Sequence, residues 1–116
     1  MRRIDTNWLG VAEGHVTLFD HWVDATEMWE GIGPRQVRYP VAFDGAFAAP
    51  PVIHLSATLI DAHSGHYLRL SLRAEEIGLT GFILVADTWE DTRIARLGVN
   101  WQALGPLDDP DEKWDV

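Results

Sequence analysis

At 116 residues, with 18 acidic against 9 basic side chains and a formal charge of −9, the chain suits one domain with a single core. That charge opposes phosphate backbones and anionic membrane surfaces, so nucleic acid and membrane insertion are not expected among its partners. The absence of cysteine removes any disulfide framework, thiolate metal site or cysteine nucleophile, while six tryptophans are a high count for a residue that serves binding faces as well as cores.

The opening segment meets Asp5 and Asn7 before any apolar run long enough for a signal peptide, and no later run approaches a membrane span. A first strand is expected within Trp8 to Phe19, where His15 to Phe19 is β-branched and aromatic. From Asp20 to Pro34 neither a helical nor a strand period is sustained, and Gly31, Gly33 and Pro34 mark a turn. Its Trp22, Met28 and Trp29 either plug an open end of the core, the favoured reading, or face a partner. A second strand, Arg35 to Phe43, puts Val37, Tyr39, Val41 and Phe43 on one face, and Pro40 assigns it to an edge or a bulge.

After the Asp44-Gly45-Ala46 turn, Pro50 and Pro51 lead into a third strand, Val52 to Ile60, with Ile53, Leu55, Ala57 and Leu59 inward. A fourth, Tyr67 to Ala74, turns Leu68, Leu70, Leu72 and Ala74 inward and shows Arg69 on its other face. Gly81 to Trp101 then reads as a hairpin of two strands. Phe82, Leu84 and Ala86 alternate on its first arm, Leu97, Val99 and Trp101 on its second, and Glu90-Asp91-Thr92 forms the break. Six strands and no amphipathic helix of ordinary length predict an all-β, six-stranded antiparallel β-sandwich over residues 1–104, followed by an acidic C-terminal arm over 105–116. Within that arm Trp114 could dock on a partner, although a solvated end is the favoured reading.

Particular residues then resemble a known family. Phe47 to Asp61 with its two prolines, Tyr67-Leu68-Arg69, Thr80-Gly81-Phe82, Thr88-Trp89-x-x-Thr92-Arg93 and Val99-Asn100-Trp101 occur in the order found in H-type lectin domains. The stretch Met28-Trp29-Glu30-Gly31-x-Gly33-Pro34-Arg35 is similar to the upstream loop of bacterial members. The resemblance implies a sandwich assembled as a homotrimer that binds N-acetylgalactosamine or related sugars between protomers. It implies sugar-contacting roles for Arg69 and Trp89. The family's histidine after the tryptophan is Glu90 here, its later tyrosine is Ala95, and its loop aspartate falls near Ile32 or Gly33.

The residues support a sugar site on chemical grounds too. An aromatic face suits the apolar side of a pyranose, and fixed charged groups make paired hydrogen bonds to hydroxyls. Trp89, Glu90, Asp91, Arg93 and Arg69 supply those types and are the candidate carbohydrate-binding residues. Alternatively, Trp89 packs on a neighbouring subunit and the arginines pair with Glu90 and Asp91.

No cofactor or metal is expected, since Asp61, His63 and His66 beside His54 match no familiar ligand spacing. Catalysis is not expected either. The carboxylates Glu75-Glu76 and Glu90-Asp91 are adjacent on turns, and Ser56, His54 and Asp61 lack a nucleophile elbow. The leading reading is a non-enzymatic lectin-like homotrimer recognising a cell-surface glycan. The alternative is the trimeric base or adaptor of a spike or fibre on a phage-like particle, docked to another protein of that particle. Either role places the domain outside the cell or on a released particle, with no visible export signal to assign a localisation.

Overall fold

A computed structural model describes residues 1–109 of the chain. It is an antiparallel β-sandwich of two three-stranded sheets, as the strand pattern predicts. One sheet has β6 (Ile94–Pro106) between β1 (Leu9–Asp20) and β3 (Val52–Ala62). The other has β5 (Gly81–Thr88) between β2 (Arg35–Ala42) and β4 (Ser71–Glu75). β2 is an edge strand, where the missing N–H of Pro40 leaves no gap in a central ladder.

The expected hairpin does not form. β5 pairs with β2 and β4, β6 pairs with β1 and β3, and the break between them carries the chain from one sheet to the other. Alternation fixes which face of a strand is apolar and says nothing about its hydrogen-bonded neighbour. The two arms present their apolar faces to one another across the core: Phe82, Leu84 and Ala86 from β5, Leu97 and Val99 from β6, with Val41 and Ile94 beside them. All seven are buried.

Two further expectations need correction. The fourth strand begins at Ser71, because the backbone of residues 67–69 bonds to threonine side chains instead of a ladder. In β3 the register shifts between Ala57 and Leu59, and Leu59, expected inward, is left exposed. β6 itself continues through Gly105 and Pro106, after which Leu107 N donates to Trp8 O at 2.9 Å. Asp111, Glu112, Trp114 and Asp115 of the expected arm lie outside the described residues.

Val85 points away from the core yet is fully buried. Arg38 and Arg73 flank it in register, and their stems cover it while their heads reach carboxylates. Arg38 Nη1 donates to Glu75 Oε2 at 2.6 Å, Arg73 Nε donates to Glu75 Oε1 at 3.1 Å, and Arg73 also bonds Asp87. Exposed pairs of this kind contribute little individually, and covering Val85 is their larger effect.

Candidate functional site

Three connections meet at one end of the sandwich: residues 21–34 after β1, residues 63–70 after β3, and residues 89–93 between β5 and β6. The first contains the short helix α1 (Glu27–Glu30), whose N-cap Thr26 accepts from Met28 N through its hydroxyl at 3.2 Å. Met28 is 1% exposed and plugs the core end as expected, whereas Trp22 is 62% exposed and does not.

Arg35, at the start of β2, holds the first connection to the third. Its Nε donates to Gly33 O at 2.9 Å, Nη1 to Glu27 O at 3.1 Å and Met28 O at 3.3 Å, and Nη2 to Glu90 O at 2.9 Å. Burial lowers its pKa, an effect partly offset by Glu27. A guanidinium nonetheless stays charged, and all four of these acceptors are backbone carbonyls. Gly31 is required beside it, since a Cβ there would stand 2.6 Å from Arg35 Cδ and 2.7 Å from Glu27 O. Glu90 adopts φ 57°, a left-handed conformation uncommon outside glycine and asparagine. Its carbonyl accepts from both Arg35 and Gly33 N, the latter at 2.9 Å.

Two buried threonines bind the second connection to the third. Thr88 Oγ1 donates to Arg69 O at 2.6 Å, and Thr92 Oγ1 donates to Tyr67 O at 2.6 Å while accepting from Arg69 N at 3.1 Å. These bonds satisfy backbone groups that a strand would otherwise pair, and they fix where Arg69 starts. Its guanidinium then donates from Nη1 to Asp91 Oδ1 at 2.7 Å, and His66 Nδ1 lies 3.0 Å from Asp91 Oδ2.

The His66 hydrogen bond, then that of Arg69, pushes the Asp91 pKa down from 3.8 to about 2. A depressed carboxylate stabilises the fold fully above its unfolded value and loses that contribution as pH falls through the folded one. The Asp91 anchor is therefore expected to be intact above about pH 4 and lost as pH falls toward 2. Melting curves recorded between pH 5 and 2 should show Asp91→Asn losing less stability than the unaltered chain. Parallel curves would refute the assignment.

Of the candidate sugar-binding residues, Arg69 and Asp91 meet directly. Trp89 stands on the same turn, 39% exposed, with Thr92 N donating to its carbonyl at 3.4 Å. The exposed Glu90 carboxylate makes no bond among the described residues. Arg93 turns elsewhere: Nε donates to Trp29 O at 3.0 Å and its guanidinium carbon sits 4.4 Å from the centre of the Trp29 ring. Of the ion pairs weighed from the sequence, Arg69–Asp91 forms, and Arg93 pairs with neither carboxylate. A cleft of about 370 Å³ opens between Glu30, Gly31, Ile32, His66, Asp91 and Arg93; Trp89 lies outside it.

Sequence reasoning missed Arg35, Thr88, Thr92 and His66 as the residues that shape this end. The two threonines stand in the quoted Thr88-Trp89-x-x-Thr92 pattern, and Arg35 follows the Gly33-Pro34 turn. Those positions could have signalled the residues, but not their partners. Of the groups weighed for metal, His63 Nδ1 accepts from Gly65 N at 2.9 Å, His66 Nδ1 faces Asp91, and Asp61 pairs with Arg96 Nε at 2.9 Å.

The family model for the H-type lectin domain matches residues 38–104. A protein of Fuscovulum blasticum described as ATP synthase subunits region ORF 7 is 37% identical over 108 residues, which span 93% of each chain. Among solved structures, recombinant discoidin II of Dictyostelium discoideum has a TM-score of 0.75 at 23% identity, covering 90% of this chain and 40% of its own. Wild-type discoidin II of the same organism gives 0.74 at 24%, covering 85% and 37%. The chain thus spans well under half the length of the discoidin II chains, and that likeness is one of fold.

Proposed function

The chain belongs to the H-type lectin domain family, and from that premise we propose a non-enzymatic carbohydrate-binding protein that acts as a homotrimer on cell-surface glycans. N-acetylgalactosamine or a related sugar is the proposed ligand. One observation carries this reading: the exposed indole of Trp89 shares a turn with the exposed Glu90 carboxylate and with Asp91, which is paired to Arg69 at the cleft. The indole offers a face to the C–H side of a pyranose, and the fixed charged groups suit neighbouring hydroxyls. Ion pairing holds the Arg69 and Asp91 side chains before a ligand arrives, which lowers the ordering cost of binding.

The outer face of the β1-β6-β3 sheet supports self-association. Val11, Leu104 and Val52 lie side by side in register, and all three are exposed. Covering such an apolar rung with a second and third copy would remove it from water. Three weak clefts on one rigid body would then gain avidity for a surface that displays many copies of a sugar. Asp61, the acid weighed beside Ser56 and His54, is engaged by Arg96 Nε at 2.9 Å.

A glycan array read beside light scattering tests both parts. The unaltered chain should bind a defined sugar set and show three times its 13.0 kDa mass. Trp89→Ala should weaken that binding roughly tenfold or more, the order expected for losing a buried aromatic contact, with the mass unchanged. Full binding by Trp89→Ala would sink the assignment of the indole, and a monomeric mass would sink the trimer.

In a second reading the Arg69–Asp91 contact at 2.7 Å is a structural pair with no sugar to hold. Under it the domain is the trimeric base or adaptor of a spike or fibre on a phage-like particle. A trimer that binds no sugar on the array supports that role.

A further inference from the structure

The connections around the cleft carry a row of aromatic rings that the Trp89 site does not use. Trp22 and Trp29 come from the segment after β1, and their centroids are 5.4 Å apart. Trp29 is followed by His63 at 5.9 Å, and His63 by His66 at 4.8 Å. The row ends at the cleft, which both His66 and Arg93 line, and Arg93 stacks on Trp29. Trp22 is therefore separated from the cleft wall by a single intervening indole.

Trp22 is both exposed and held. Its N donates to Asp20 Oδ1 at 3.0 Å, its Nε1 lies 3.5 Å from Asp61 Oδ2, and the rings of His21 and Trp29 meet it edge-on. An indole fixed at 62% exposure keeps apolar surface in water that the core does not need, and its fixed position removes part of the ordering cost of a contact. The groups beside it have unused capacity. Asp61 accepts only at Oδ2, and of the Arg96 donors only Nε–H is engaged, so Asp61 Oδ1 and both Arg96 amino groups are unpartnered among the described residues. A guanidinium fork beside a carboxylate can serve two neighbouring hydroxyls at once.

We infer that Trp22, Asp61 and Arg96 form a second carbohydrate subsite, which takes a further neutral pyranose ring of an oligosaccharide whose first ring binds at the Trp89 and Arg69–Asp91 site. This inference rests on the lectin reading. Continuity along the aromatic row joins the two positions, and the chain's net charge of −9 disfavours acidic sugars as the occupant.

The test compares the unaltered chain with Trp22→Ala, Trp22→Phe and Trp89→Ala on one array of neutral mono-, di- and trisaccharides, with the mass of each variant measured in solution. The unaltered chain should bind the longer glycans more tightly than the monosaccharide each is built on. Trp22→Ala should lower binding of the longer glycans by about tenfold and leave the monosaccharides as they were, while Trp22→Phe retains most of the gain. Trp89→Ala should weaken every spot. If Trp22→Ala leaves the array pattern unchanged, weakens mono- and oligosaccharides equally or lowers the mass, the subsite is overturned and the lectin reading stands. If the unaltered chain binds no spot, the lectin reading falls and takes the subsite with it.

Discussion

Arg35→Ala is expected to destabilise the protein by roughly 2–6 kcal/mol, at about 1–3 kcal/mol for each of the two buried carbonyls it would leave without a donor. The side chain is 7% exposed and donates to the carbonyls of Glu27, Met28, Gly33 and Glu90. Two of those oxygens keep another donor, since Gly31 N reaches Glu27 O at 2.7 Å and Gly33 N reaches Glu90 O at 2.9 Å. Gly33 O and Met28 O have no second donor among the described residues, and leaving such groups unmet costs about 1–3 kcal/mol each where water cannot replace the bond. Because Arg35 holds α1 to the turn that carries Trp89, the variant should also weaken sugar binding if the proposed site is the right one. Arg35→Lys keeps the charge but places three donors at one point, where the native fork spans carbonyls on two connections. It is therefore expected to recover only part of the loss. Urea unfolding of the three proteins measures this directly, and a lysine variant as stable as the original would show that charge alone, without the fork, does the work.

Leu84→Ala should cost about 2–5 kcal/mol, the range for truncating a fully buried leucine. Leu84 sits in the middle of β5, opposite Tyr39 and Ala74 in register, and joins the core cluster with Leu97 and Val99. Both neighbouring strands and the facing sheet contribute to its surroundings, so little is free to collapse into the space left behind. Against a total stability of about 5–15 kcal/mol, a loss of that size is a large fraction of the whole. Val23→Ala, at a side chain 83% exposed, is expected within about 0.5 kcal/mol of the original and serves as the control. Equal melting temperatures for the two variants would mean that Leu84 is not packed in the core.

How much was legible follows from which interactions are local. The alternation of Phe82, Leu84 and Ala86, and of Leu97 and Val99, records burial on one face and is readable from the chain. Pro40 is readable in the same way, because its missing N–H restricts a strand to an edge. The misread hairpin shows where this stops. Two successive apolar strands satisfy the same pattern whether they pair in one sheet or face each other across a core, and nothing within residues 81–101 distinguishes the cases. The deciding contacts come from β2, β4, β1 and β3, far away in sequence.

The site divides along the same line. Trp89, Glu90, Asp91 and Arg69 could be named as candidates because their residue types and order are local properties. Arg93 could be named too, yet its partner could not, since the Trp29 ring it covers lies 64 residues away along the chain. The roles of Arg35, Thr88 and Thr92 depend on backbone groups brought to them by other connections, and a sequence carries no mark of which carbonyl a side chain will meet. Strand number, the inward faces of β5 and β6, the edge position of β2 and the chemical types at the turn were thus determined by the sequence itself, through periodicity and backbone restriction, whereas the exposure of Leu59 and Leu68 was not. Strand partners, the shape of the cleft and the exposure of Trp22 were decided by tertiary structure alone, because each depends on which distant segments exclude water from one another.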